Sequence, residues 1–451
     1  MQLKNLKNLF VGFLLSISFL ISPSEIIGQT TINGNFHSKN SDGTKTYTYN
    51  NSKQKFSIEY EGEITLSNDD KEITSISNNG FIEIRKTRFG KRRRLIIESE
   101  GGTLVHKYFI GSKELPFNPD GKKWLAEILQ EVVRTTTIAA QSRVDRFYKR
   151  GGAKAVMNEV RSMDSDYVKS AYIKILLKKN LKNSDLISVI ETAGNSIKSD
   201  HYVSQILKSN QKAFLATDGT RTAYIKSASS IGSDHYRSQI LKTVINDSDI
   251  NDKQMASLLD ITKSIKSGHY LSQILSSIME KRQLNKQNMN TIMLLSRQIK
   301  SDHYKSQVLR KALKKENLSQ GNYEAFLSTL SEIKSDHNRS QVINDLMKND
   351  MDNASFSKLL NIVNQNIGSD HYAANIYKKI AKNKNISDAQ LIQILESASS
   401  NISSGYSLSS VLTAYSGRVK KSSQKVKDAY RKAAKTIKSE TYYGRVLRAI
   451  E

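Results

Sequence analysis

One hexapeptide pattern dictates most of what this chain can become. The segment Ile-Lys/Gly-Ser-Asp-His-Tyr recurs at a fixed step of 34 residues, with Tyr202, Tyr236, Tyr270, Tyr304, Asn338, Tyr372 and Tyr406 in one column. Degenerate copies stand at Ser165-Asp166-Tyr167, 35 residues before the first, and at Ser439-Glu440-Thr441-Tyr442, 36 after the last. A unit this short cannot cover its own apolar face, so successive copies must stack and share a core. Its length leaves room for two helices of roughly 12 to 14 residues and two short turns.

The repeat is helical. Pro119 is the last proline, leaving 332 residues without one, and proline costs about 3 kcal/mol inside a helix. Leu186, Val189, Ile190, Ala193 and Ile197 form one stripe at helical spacing, repeated by Leu391, Ile394, Leu395, Ala398 and Ile402. Asn251 or Asp252, and Ser387 or Asp388, are expected to cap the first helix of a pair. The second helix starts at the signature: Ser199 is the expected N-cap, Asp200 lies at the positive end of the dipole, and Tyr202, Ile206 and Leu207 begin the inward face. The same holds for Ser233, Asp234 and Tyr236 and for Ser301, Asp302 and Tyr304. The period matches the tetratricopeptide repeat, but that motif's Trp, Leu-Gly and Pro signals are missing, so the expectation is a generic solenoid of about eight or nine helical hairpins.

Upstream the period changes to two. From about Thr46 to Phe117 apolar and polar residues alternate, as in Phe56, Ile58, Tyr60 and Ile64, Leu66. Turn formers separate the runs: Asn78-Asn79-Gly80, Phe89-Gly90, Gly101-Gly102 and Gly111. An antiparallel meander is the simplest reading, and a small sandwich or rolled sheet would give the same pattern. Trp124, Ile128 and Val132 mark a first helix that Asp120 would cap. The fold class is therefore α+β by segments: an antiparallel β domain over 30–117, a connecting helical hairpin over 118–160 and an all-α solenoid over 161–451.

The N-terminus reads as an export signal. Lys4 and Lys7 precede an apolar run of 13 residues from Leu9 to Ile21, then Ser22-Pro23-Ser24. That run is shorter than the roughly 20 residues needed to span a bilayer. Cleavage is expected between Ser24 and Thr30, giving a signal peptide over 1–29 and a periplasmic or secreted chain; an uncleaved anchor is the alternative.

Chemistry is narrowed by what is missing. With no cysteine, disulfide scaffolds, thiolate zinc sites and cysteine nucleophiles are excluded. No His-Glu-x-x-His, Gly-x-Ser-x-Gly or Walker-type Gly-Lys-Ser/Thr stands in the chain, so neither catalysis nor a cofactor is expected. Six of the eight histidines fall in the signature: His201, His235, His269, His303, His337 and His371. With Asp200, Asp234, Asp302, Asp336, Asp370 and the tyrosines Tyr202, Tyr236, Tyr270, Tyr304 and Tyr372 they form a ladder, structural first and binding second. Metal binding is disfavoured because equivalent histidines on stacked helices stand about 10 Å apart, whereas ligands of one ion lie about 2 Å from it. A ligand surface or a pH-responsive edge is the alternative, the latter since histidine ordinarily titrates near 6.5. Ser204 and its equivalents, three residues after each histidine, make a triad only as an inventory.

A formal net charge of +26, from 69 basic and 43 acidic residues, makes anionic partners plausible. The densest cluster, Arg85, Lys86, Arg88, Lys91, Arg92, Arg93 and Arg94, flanks Phe89-Gly90. It reads as a hairpin tip that guards a sheet edge from pairing, or as a dock for phosphate or carboxylate groups of lipid, polysaccharide or protein. Nucleic acid is disfavoured by export.

The run Glu72 to Arg85, then Lys91-Arg92-Arg93-Arg94-Leu95, then Pro116-Phe117 to Trp124-Leu125 and the Ser-Asp-Tyr repeats, resembles uncharacterised bacterial exported regions. Some of these follow the membrane metallopeptidase domain of antirepressor sensors of the beta-lactam-sensing type. The likeness covers nearly the whole chain after the signal. The peptidase motif is missing, so the resemblance implies an interaction scaffold or sensor-like module without proteolysis. The expected function is binding of a protein partner in the envelope, with an anionic polymer or lipid as the alternative ligand.

Overall fold

The computed structural model describes residues 31–451 except 33, 42, 51–53, 248–249, 315–321, 350 and 384–385; for 31–41 it describes the backbone alone, and of 247 no side chain. The expected signal peptide lies outside these residues. The chain divides at Ser142/Arg143 into two compact units.

The first unit is an eight-stranded antiparallel sheet in the order β1-β2-β3-β4-β7-β8-β9-β10. The strands are β1 (Thr31–Ile32), β2 (Gly34–Ser41), β3 (Thr44–Asn50), β4 (Gln54–Glu61), β7 (Phe81–Arg88), β8 (Lys91–Glu100), β9 (Thr103–Ile110) and β10 (Lys113–Leu115). The expected meander is interrupted once, where β5 (Ile64–Leu66) and β6 (Ile73–Ile76) leave to pair with each other. Phe89-Gly90 and Gly101-Gly102 each have positive φ at both positions (49° and 76°, 55° and 84°), the turn whose twist suits a two-residue hairpin. Strand alternation sends Ile58, Ile82, Ile84, Leu95, Ile97 and Tyr108 to one face, and all are fully buried. Each aliphatic burial contributes about 2 kcal/mol.

That face is where α1 (Lys122–Thr135) enters the unit. Its stripe Trp124, Ile128, Leu129, Val132 and Val133 is buried; the Trp124 ring lies 5.9 Å from Tyr108, and Glu131 pairs with Lys86. The segment expected to be one connecting hairpin is thus divided, because the apolar stripe of α1 finds cover on the strands. Asp120 does not cap α1. It sits in a single wide turn, Phe117–Gly121, that leads into the helix, whose first flanking residue is Gly121.

The second unit is a helical array. It opens within α2 (Ala140–Ser162), which is broken at Gly151-Gly152 (φ −157° and 62°). Among the described residues nine helices then begin at the signature: α3 (Asp166–Leu176), α5 (Asp200–Ser209), α8 (Asp234–Asp247), α10 (Gly268–Lys281), α12 (Asp302–Lys314), α14 (Asp336–Leu346), α16 (Asp370–Ile380), α18 (Gly405–Val419) and α20 (Glu440–Arg448). Between them lie α4 (Asn183–Ser196), the short α6 (Gln211–Phe214) with α7 (Asp218–Ser227), α9 (Asp252–Thr262), α11 (Lys286–Arg297), α13 (Tyr323–Ser331), α15 (Asn353–Asn366), α17 (Asp388–Asn401) and α19 (Gln424–Ala434). Signature helices pack on signature helices of the adjoining repeats and intervening helices on their own kind, giving two parallel rows. Both expected stripes are buried along their whole length, Leu186 to Ile197 and Leu391 to Ile402. Asn251 and Ser387 cap α9 and α17 through capping boxes with Gln254 and Gln390. The signature isoleucines Ile197, Ile231, Ile265, Ile299, Ile333, Ile367, Ile402 and Ile437 are all buried and pin each turn to the core.

Candidate functional site

The signature turns three side chains into joints between repeats. Asp166, Asp200, Asp234, Asp302, Asp336 and Asp370 each reach forward to the following repeat, where a carboxylate accepts the amides of the signature Ser and the residue before it. All twelve bonds measure 2.7 to 3.1 Å. Placement beside its own helix dipole describes only half of what this Asp does. The signature serines occupy the N-cap in extended geometry, but only some use the hydroxyl: Ser165, Ser335 and Ser404 accept an amide, whereas Ser199, Ser267, Ser369 and Ser439 make no side-chain cap bond.

The carboxylate is missing where Gly268 replaces it. A Cβ there would stand 3.2 Å from the Ile299 Cγ2 methyl, a side-chain atom that yields by a few tenths of an ångström. Gly268→Asp is therefore expected to install a staple onto the amides of Lys300 and Ser301 and to raise stability by about 1 to 2 kcal/mol, read by denaturant unfolding. Gly268→Ala is the control for helix propensity alone.

The histidines form a second joint. Lys174 Nζ donates to Gln205 Oε1 at 2.7 Å, which turns the amide nitrogen of Gln205 onto His201 Nε2 at 2.9 Å. That ring nitrogen must then accept, so the neutral imidazole carries its proton on Nδ1 and donates it to Tyr236 Oη at 3.2 Å. Lys208, Gln239, His235 and Tyr270 repeat the relay, with 3.0 Å at both histidine contacts. Lys242, Gln273 and His269 repeat its first part, with the His269 ring 5.3 Å from Tyr304. Further on, His303 meets Gln307, His337 meets Gln341 and Tyr372, and His371 meets Asn375. Asn338 supplies no ring, and the edge-to-face series is interrupted there. The basic column Lys174, Lys208, Lys242 and Arg310 escaped the sequence reading. Its regular place six or seven residues after the signature tyrosine was the available signal.

This geometry places an amide of the following turn on the Nε2 of all six signature histidines. Both ring nitrogens of His201 and His235 are engaged inside the ladder. The nearby serines are buried and, at Ser238, Ser272, Ser306 and Ser340, donate to the carbonyl of the histidine three residues earlier, at 2.8 to 2.9 Å, not to its ring. Among the described residues no three His, Asp or Glu side chains converge as one ion would require.

The basic cluster is a hairpin tip, but it guards no edge. β7 and β8 are inner strands flanked by β4 and β9, so protection from pairing is not its role. Register splits the seven cations by face: Arg85 pairs across from Arg94, Lys86 from Arg93, and Arg88 from Lys91. Arg85 and Arg94 converge on Glu83 at 2.5 and 3.7 Å, Arg94 also lies 4.0 Å above the Phe109 ring, and Lys86 is held by Glu131. The bond to Glu83 raises the Arg85 pKa above its usual value. Arg88, Lys91, Arg92 and Arg93 are exposed, and among the described residues none forms an ion pair. Between the tip and α1 lies a cleft of about 400 Å³ lined by Lys86, Arg88, Phe89, Lys91, Arg93, Trp124, Glu127, Ile128 and Glu131.

A second recess lies in the array. It crosses α15, α17 and α19 with a volume of about 580 Å³. Most of its lining is polar and uncharged, with Asn361, Asn364, Gln393 and Thr436 among serines, its apolar residues are Leu360, Ala429 and Ala433, and Glu396 and Lys432 supply its two charges. Its positions recur at a 36-residue step, as in Asn361, Ser397 and Ala433 or Asn364, Ser400 and Thr436, but the residue type changes at each, so no common side chain marks them in the sequence.

No family model matches this chain, and no curated protein does. Among solved structures, a chain from the computational design of self-assembling cyclic protein homooligomers aligns over 71% of this chain and 98% of its own. It is 10% identical with a TM-score of 0.12, a similarity too low to carry any inference.

Proposed function

We propose that the chain is a non-enzymatic, sensor-like binding scaffold of the bacterial envelope, holding a protein partner on its helical array. The observation that carries this reading is the three-helix recess across α15, α17 and α19. Its hydroxyls and amides suit the hydrogen-bonding groups of an inserted peptide segment, its few apolar lining residues suit a side chain, and its two charges are one of each sign. Stacked repeats hold such a surface in register over many residues. Export rests on Lys4, Lys7 and the apolar run to Ile21.

Ala429 is half-buried on α19, where an arginine side chain would fill the recess without entering the core. A photo-crosslinker at Gln393 is expected to capture one defined envelope protein, insensitive to salt, and Ala429→Arg is expected to weaken that capture about 30-fold. Capture unchanged by Ala429→Arg would overturn the assignment of the recess. A second reading, in which the ligand is an anionic surface, is favoured by the hairpin tip.

A further inference from the structure

Four large apolar side chains stand exposed among the described residues, and the two in the first unit, Phe89 and Ile110, share one end of the sheet. Phe89 is 78% exposed and occupies the first central position of the β7–β8 turn at φ 49°. That position favours Gly, Asn or Asp, and a bulky side chain there is strained. The turn would therefore be better formed by another residue, and the ring is better placed out of water than in it. The Arg88 guanidinium lies 5.2 Å from the ring centroid.

The cations are arranged around this ring. Lys91, Arg92 and Arg93 follow the turn, Lys55 pairs beside Thr87 on β4, and Lys113 pairs beside Ile110 on β10. Ile110 itself lies across from Arg93. All five of these cations are exposed, and among the described residues none has an ion-pair partner. Of the two carboxylates at the neighbouring cleft, Glu131 is held by Lys86 and Glu127 sits on α1.

We propose that this end of the sheet docks on an anionic lipid bilayer, with Phe89 inserted at the boundary between headgroups and acyl chains and Arg88, Lys91, Arg92 and Arg93 at the phosphates. An aqueous polyanion would need the charges alone. A bilayer uses both features at once, because an aromatic wedge gains by leaving water while the flanking cations stay at the charged surface. The proposal does not depend on the partner of the helical array, which belongs to the other unit.

The test is flotation of the exported protein with vesicles of one part phosphatidylglycerol to two parts phosphatidylcholine, against phosphatidylcholine alone. Binding is expected only to the anionic vesicles and is expected to fall steeply with salt. Phe89→Asn suits the left-handed turn, so it keeps the fold, and it is expected to weaken partitioning about 10-fold. Arg88, Lys91 and Arg92 changed together to Gln is expected to weaken it about 100-fold, at about fivefold per cation. Binding that ignores Phe89→Asn, or that a soluble polyanion such as heparin competes away equally in wild type and Phe89→Asn, overturns the proposal in favour of a charge-only ligand. No binding to anionic vesicles at low salt also overturns it.

Discussion

Asp302→Ala lowers the stability of the helical array by about 3 kcal/mol, a loss usual for a core truncation but here caused at a half-buried turn. One oxygen of Asp302 accepts the amides of Lys334 and Ser335 at 3.0 and 2.7 Å. Hydrogen bonds to a charged acceptor contribute about 1.5 to 3 kcal/mol each, and solvent exposure at the Lys334 side argues for the lower end. Asp302→Asn retains a carbonyl acceptor and is expected to cost about 1 kcal/mol. In a stacked array this term is the coupling between neighbours, so its loss is expected to split a single unfolding transition into two. Hydrogen exchange should then show faster opening at the amides of Lys334 and Ser335 than at equivalent amides of the other joints. A single unsplit transition within about 0.5 kcal/mol of wild type would show that apolar stacking alone couples the repeats.

The same staple gives the array an acid limit. Burial of Asp370 raises its pKa, but bonds from the Ser403 hydroxyl and the Ser403 and Ser404 amides outweigh this and hold the carboxyl below its ordinary 3.8. A folded value below the unfolded one means that the carboxylate stabilises the array at all pH above about 4. The contribution is lost as pH falls from there through the lowered value.

The array was legible in the sequence because its constraint is periodic. A buried isoleucine, a helix-starting serine and a forward-reaching aspartate must recur at one interval if identical joints are to form, and 34-residue spacing displays all three. What the spacing does not show is direction. Asp200 stands beside both its own helix start and the next repeat's turn, and only the stacking of α5 on α8 chooses the latter. In the first unit, alternation revealed the strands, yet strand order is set by long-range pairing. Removal of β5 and β6 from the main sheet put β7 beside β4, and no local pattern around Arg88 or Arg92 announces that neighbour. The recess at Asn364, Gln393 and Thr436 was illegible for a related reason. Its positions do recur, at a 36-residue step, but Ser357, Gln393 and Ala429 or Leu360, Glu396 and Lys432 share no side-chain chemistry, so the step leaves no motif.

Arg143→Met is expected to destabilise the start of the array by about 3 to 4 kcal/mol. Arg143 is 2% exposed, with its guanidinium 2.8 Å from Glu159 and bonded to the Tyr172 hydroxyl. These contacts cross the Gly151-Gly152 break and tie both arms of α2 to α3, the first signature helix. Methionine preserves most of the volume, so the loss isolates the charge: Glu159 keeps its carboxylate in a partly buried place without this cation. Removing both partners is expected to restore most of the stability, because a buried ion pair gains little over well-packed apolar side chains, whereas half of one is costly. The decisive comparison is therefore Arg143→Met against Arg143→Met with Glu159→Met, measured by denaturant unfolding. If the double variant is as unstable as the single one, the guanidinium acts through the Tyr172 hydroxyl and the Phe147 ring, 5.3 Å away, and not through Glu159. Recovery in the double variant would instead place the cost on the stranded carboxylate, and fraying of the array would then begin at this end when Arg143 alone is lost.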